Sequence, residues 1–297
     1  LISHGVSSCL RSATAAGLLL LGLAGGCSST PSGKASGTID EQFTIKVRSS
    51  GWRVVVSING QPVLDTVQSG FSWDVTTFVI DGVNTVRVSA EQLSDPTSGG
   101  SCAMALERTS PKDGMPIGTP LLMFEKPDGQ KGQKMEEQGT IRASVPVRWR
   151  WQDGDDTSAL NPDDGKAIFA VISAAAEDYR RRDWNALRAL RGNAWSGNRT
   201  PEQVLGADFL AARDGGLALM KAVGEYPDFT VIVTPPETLR MLSGSRVVVV
   251  WVDEGRGIIY AGHSPEFASK GAADPPAPSL RETRMRFFKK DGQWYWY

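Results

Sequence analysis

Beyond residue 26 the chain holds one histidine, His263, and two cysteines, Cys27 and Cys102. So few soft ligands exclude a zinc cluster of His and Cys, and any Ser-His-Asp or Cys-His device would have to run through His263. With Cys27 consumed by other chemistry no internal disulfide can form, and Cys102 then reads as a buried small apolar residue before it reads as a nucleophile. Acids gather once, at Asp153, Asp155, Asp156, Asp163 and Asp164, with no base among them. Asp153, Asp155, Thr157 and Asp164 fall on the first, third, fifth and twelfth places of a calcium loop. The sixth place, however, is Ser158 where that turn needs Gly, and Asp164 is shorter than the expected Glu. Residues 153–165 therefore read as a solvated linker whose acids suit a helix N-terminus. No metal and no cofactor is implied.

The remaining chemistry is at Cys27. Arg11, the apolar run 12–24 with Leu18 to Leu21 at its centre, and Gly25-Gly26 supply the basic start, apolar middle and small-residue end of a secretory signal. The run is too short and too diluted by Ser, Thr and Gly to cross a bilayer, which takes about 20 apolar residues. Ala24-Gly25-Gly26-Cys27 resembles the lipobox of bacterial lipoproteins, with Ala24 where that family more often has Leu. The resemblance implies that 1–26 is a cleaved signal peptide and that Cys27 is the first mature residue, carrying palmitate-type acyl chains. Several chains on one residue make a stable anchor where a single chain would be marginal. Ser28 stands where an inner-membrane retention Asp would sit, so the family's sorting rule implies the outer membrane, facing the periplasm. Leu1 in place of Met is consistent with an alternative start codon or a trimmed chain.

Lys and Arg number 32 against 33 Asp and Glu. That balance argues against a nucleic-acid partner, which would want a basic patch. Residues 27–40, rich in Ser, Gly, Thr and Pro, read as a flexible tether.

From Phe43 the pattern has period two: Phe43, Ile45 and Val47, then 52–58, with Asn59-Gly60 as a turn that tolerates positive φ. Further strands are expected at 85–89, 102–107, 121–125 and 140–151, the last with Val145, Val147, Trp149 and Trp151 on one face and Arg148 and Arg150 on the other. Short strands with regular turns predict an antiparallel β-sandwich over 41–152. Within it, the stretch from Trp73-Asp74-Val75-Thr76 through Asp81-Gly82-Val83-Asn84-Thr85 to Val88 resembles jelly-roll modules of the β-galactosidase sugar-binding type. Carbohydrate recognition would need exposed aromatic faces. At strand spacing, Trp52, Phe71, Trp73 and Phe78 are expected in the core instead.

A helical period begins at Ile168, Ile172, Ala175 and Tyr179. Asp183 should cap a second helix carrying Trp184, Leu187 and Leu190, and Thr200-Pro201-Glu202-Gln203 should start a third carrying Val204, Leu205 and Phe209, with a short continuation after Gly215-Gly216. Strands return at 229–233, 239–242, 246–252, 257–261 and 284–297. A turn at Asp291-Gly292 places Met285, Phe287, Trp294 and Trp296 on one face and Phe288, Tyr295 and Tyr297 on the other. Between 262 and 279 lies a long Gly, Ala and Pro segment that contains His263.

The whole is thus expected to be a two-domain α+β chain, the second domain over 166–297 having helices packed on a curved antiparallel sheet. That order, the Tyr179-Arg180-Arg181-Arg182-Asp183-Trp184 junction and the closing Phe287-Phe288-Lys289-Lys290-Asp291-Gly292-Gln293-Trp294 resemble the nuclear transport factor 2-like, or cystatin-like, superfamily. The resemblance implies a cone around an apolar pocket, in a family that includes enzymes, small-molecule binders and interaction domains. An enzyme of ketosteroid-isomerase type would need a buried acid as base and a Tyr or protonated acid. Asp178, Asp183, Asp208, Tyr179, Tyr226 and Tyr260 are available, yet no spacing singles out a pair. The expected function is a non-catalytic envelope lipoprotein that binds another envelope protein or a glycan. A small-ligand binder or isomerase-like enzyme in the cone is the alternative.

Overall fold

The computed structural model describes residues 37–67, 70–93, 101–127, 131–191, 200–252, 257–262 and 279–297. Cys27, His263 and residues 27–36 of the tether lie outside them.

Alternation at period two builds the first half. β1 (Gln42–Ser49) buries Phe43, Ile45 and Val47, and β2 (Trp52–Ile58) buries Trp52, Val54, Val56 and Ile58. With β3 (Gln61–Thr66), β4 (Phe71–Asp74), β5 (Gly82–Gln92), β6 (Ser101–Thr109), β7 (Leu122–Pro127) and β8 (Lys134–Ala143) they form two antiparallel sheets, ordered β4-β1-β6-β7 and β3-β2-β5-β8. Buried residues of both sheets belong to one apolar cluster. Asn59 (φ 54°) and Gly60 (φ 74°) turn β2 into β3, as their types predict. Asp74 accepts from Thr76 N at 2.8 Å, and the fully buried Asn84 joins Ile80 N and Asn59 Nδ2, both at 2.7 Å. The jelly-roll-like stretch thus works as turn and core.

The strand expected over 140–151 divides. β8 stops at Ala143, and Val145, Val147, Trp149 and Trp151 stay buried along an extended segment that closes in a 3-10 turn, Arg150–Asp153. Two side chains hold this course: the indole N–H of Trp149 donates to Val79 O at 2.6 Å and that of Trp151 to Thr77 O at 2.7 Å.

α1 (Pro162–Arg181) starts ahead of the apolar period because Asn161 accepts from the amides of Asp163 and Asp164, while Asp164 accepts from Asn161 N. α2 (Trp184–Arg191) is capped by Asp183, as expected. The start signal at Thr200 yields only the short α3 (Pro201–Val204). α4 (Ala207–Gly224) then carries Phe209 and runs unbroken through Gly215-Gly216, beyond which a short helical continuation was expected. The strong helix formers on both sides outweigh about 1 kcal/mol lost per glycine.

β9 (Thr230–Val233), β12 (Ile259–Gly262) and β13 (Ser279–Glu282) form one antiparallel sheet, ordered β13-β12-β9. β10 (Arg240–Ser243), β11 (Val248–Trp251), β14 (Arg284–Lys290) and β15 (Gln293–Trp296) form another, ordered β10-β11-β14-β15. Its register pairs Phe287 with Trp296 and Lys289 with Trp294 across Asp291-Gly292. Met285, Phe287, Trp294 and Trp296 accordingly face Ile168, Ile172 and Tyr179 of α1 in a second apolar cluster. The opposite face is buried too: Val247, Val249, Phe288 and Tyr297 belong to the cluster of the first two sheets. Residues 35–297 form one compact unit.

Candidate functional site

Each linker acid has a local task. Asp153 takes a two-pronged contact from Arg148, whose guanidinium holds it below the usual carboxylate range. Asp155 accepts from Gly292 N at 2.9 Å and Asp156 from Ser158 N at 2.9 Å. Asp164, nearly buried, accepts from Lys289 Nζ at 2.8 Å and Trp294 Nε1 at 3.2 Å. The Lys289 contact is foremost in lowering its pKa. Among the described residues no group of three or more His, Cys, Asp and Glu could hold a metal ion. Cys102 is buried, and burial pushes its thiol up to about 11, so little thiolate forms near neutral pH.

The isomerase-type candidates take separate tasks. Asp178 is tied to Arg181 at 2.6 Å, Asp183 caps α2, and Asp208 sits in the first turn of α4. Tyr226 offers its carbonyl to Arg182, and Tyr260 lies beneath Arg281. Tyr179 differs. Its hydroxyl donates to Glu282 Oε1 at 3.1 Å, joining α1 to β13. Burial and then the Glu282 charge push the phenol up, against the opposing pull of Arg191, which lies over the Trp296 ring. Tyr179 therefore stays protonated and serves as a donor. Glu282 carries no local signal that reasoning from spacing could have found, since it stands 103 positions from Tyr179.

A seam of cations covers two of the four aromatic residues weighed for carbohydrate. Arg284 and Arg286 lie over Trp73 at 5.0 and 5.2 Å, and Arg286 over Phe78 at 4.8 Å. Arg286 also donates to Thr77 Oγ1 at 3.0 Å and Asp74 O at 2.6 Å. Burial brings Arg284 down to about 10. Trp52 and Phe78 are in the core, as expected, and Trp73 packs against it.

The remaining site is a cleft of about 590 Å³ where the chain enters the fold. Asp40 and Glu41 line it just ahead of β1, Arg108 from β6 and Arg142 from β8, with Phe43 and Leu121 as apolar lining. Arg108 Nη1 stands 3.3 Å from Glu41 Oε1, while its Nε is buried without a hydrogen-bond partner. Ile39 N donates to Val204 O at 2.8 Å and Gly206 N to Ile39 O at 3.0 Å, which pins this entering segment to the α3–α4 junction. Asp40 accepts from the Thr38 hydroxyl at 2.9 Å. Two acids and two arginines thus share one partly open space, a set suited to a ligand bearing both charges. No protein-family model, curated protein or solved structure matches the chain.

Proposed function

We propose that this is a lipid-anchored bacterial envelope protein, held by acyl chains on Cys27 at the outer membrane and facing the periplasm. Its folded part acts as a non-catalytic binding module for an envelope protein or glycan. In this reading the first two sheets are a β-sandwich and the second half is a cone of the nuclear transport factor 2-like kind. The observation that carries the proposal is the apolar run 12–24 ending in Gly25-Gly26-Cys27. The binding role draws support from the structural partners of the buried carboxylates, Asp164 on Lys289 and Asp178 on Arg181. The test is expression in a bacterial host with labelled fatty acid: label on the N-terminal peptide, lost in Cys27→Ser, is the expected result. Unchanged acyl mass in that variant would sink the proposal.

A second reading, a small-ligand or isomerase-like site in the cone, is favoured by the Tyr179–Glu282 pair beside Arg191. Saturable binding of an apolar fluorescent probe, weakened by Tyr179→Phe, would support it.

A further inference from the structure

The cleft beside residues 37–41 holds charges of both signs, and the chain that leads into it is short. Cys27 and Gly37 are ten positions apart, a reach of at most about 35 Å fully extended. A molecule anchored through Cys27 therefore keeps this cleft within one tether's length of the lipid headgroups, at high effective concentration.

We propose that the cleft binds the zwitterionic headgroup of a phosphatidylethanolamine-type lipid, with its phosphate on Arg108 and Arg142 and its ammonium against Asp40 and Glu41. The proposal rests on the reading of Cys27 as the anchored residue. Guanidinium forks match phosphate oxygens two at a time. Arg108 and Arg142 both line the cleft, so a phosphate held there would meet two guanidinium groups. The existing contact of Arg108 to Glu41 is long, at 3.3 Å, between side chains 38% and 39% exposed. Such a pair contributes little and yields readily. A purely anionic headgroup would meet Asp40 and Glu41 as like charges, whereas an ethanolamine group gives both a partner. Phe43 and Leu121 leave an apolar wall for the glycerol end.

The test uses the full chain carrying Cys27→Ser, so that no acyl chain contributes. Co-sedimentation is measured with vesicles of phosphatidylethanolamine and a minority of phosphatidylglycerol. The chain is expected to sediment, free O-phosphoethanolamine to compete, and Arg108→Ala or Arg142→Ala each to weaken binding about tenfold, the value of about one charged hydrogen bond. If Arg108→Ala fails to fold, the exposed Arg142 still decides. Unchanged sedimentation in Arg142→Ala overturns the proposal, and so does binding of free phosphoethanolamine without vesicle binding, which would assign the cleft to a soluble zwitterion. Loss of the acyl label from wild-type Cys27 would fail the anchor alone and leave the vesicle result readable.

Discussion

Trp296 shows what one side chain holds in place. It is 2% exposed, sits on the face toward α1 and lies under Arg191. Trp296→Ala should cost about 3 to 5 kcal/mol, read as a fall in the thermal midpoint. Sequence reasoning puts Tyr297 on the opposite face and expects Tyr297→Ala to cost much less. The structure packs that ring against Phe288 at 5.6 Å and Phe78 at 6.5 Å, so the two substitutions should cost similar amounts. Tyr297 Oη is buried with no hydrogen-bond partner. Tyr297→Phe should therefore stabilise the protein by about 1 kcal/mol, and a lowered midpoint would reveal a bond to that hydroxyl. Asp164 gives a pH signature. Its folded pKa lies below the unfolded value, so its contribution is complete above pH about 4 and is lost as pH falls through the folded pKa. Asp164→Ala should remove about 1 to 2 kcal/mol at neutral pH and flatten the acid limb of the stability curve.

Elements with a local cause were legible in the sequence. The Asn59-Gly60 and Asp291-Gly292 turns, the Asp183 cap and the face shared by Met285, Phe287, Trp294 and Trp296 each follow from residues within one turn or one pleat. The path of 145–153 was not legible, because indole bonds to Val79 and Thr77, 70 and 74 positions away, decide it. The same holds for the candidate sites: Tyr179 was one of six available acids and tyrosines that no spacing set apart, and Glu282, Arg108 and Arg142 reach their places through strand pairing. The turn between β10 and β11 shows how tightly distant elements meet. Gln61 Nε2 donates to Ser245 Oγ at 2.7 Å, Arg246 N donates to Gln61 Oε1 at 2.9 Å, and Thr157 Oγ1 donates to Gly244 O at 2.8 Å. A methyl group on Gly244 would overlap Pro62 and lie 2.9 Å from Gly60 O. Gly244→Ala should cost about 1 to 3 kcal/mol through overpacking, whereas Gly216→Ala, with open space around it, should be neutral or stabilising in the same melt.

For the molecule as a whole, the expectation was that the first two sheets and the helical half fold separately, because the linker 153–165 has too few apolar residues to join their cores. The linker does not have to do so. Val247 to Val250 are apolar without alternation, which is the pattern of a strand covered on both faces. Val248 and Val250 face the helices, while Val247 and Val249, with Phe288 and Tyr297, pack in the cluster of the first two sheets. Arg284 and Arg286 add contacts to Trp73, Asp74 and Thr77 across the same seam. Residues 160–297 alone would expose that second face to water, at a cost of about 1.5 to 3 kcal/mol for each large apolar side chain uncovered. One cooperative thermal transition is therefore expected for residues 35–297, reported alike by far-ultraviolet circular dichroism and by tryptophan fluorescence. The isolated 160–297 fragment should melt well below it or bind an apolar dye. Two separated transitions in the intact chain, with the fragment's midpoint matching one of them, would instead establish independent folding and reduce the shared face to a docking contact.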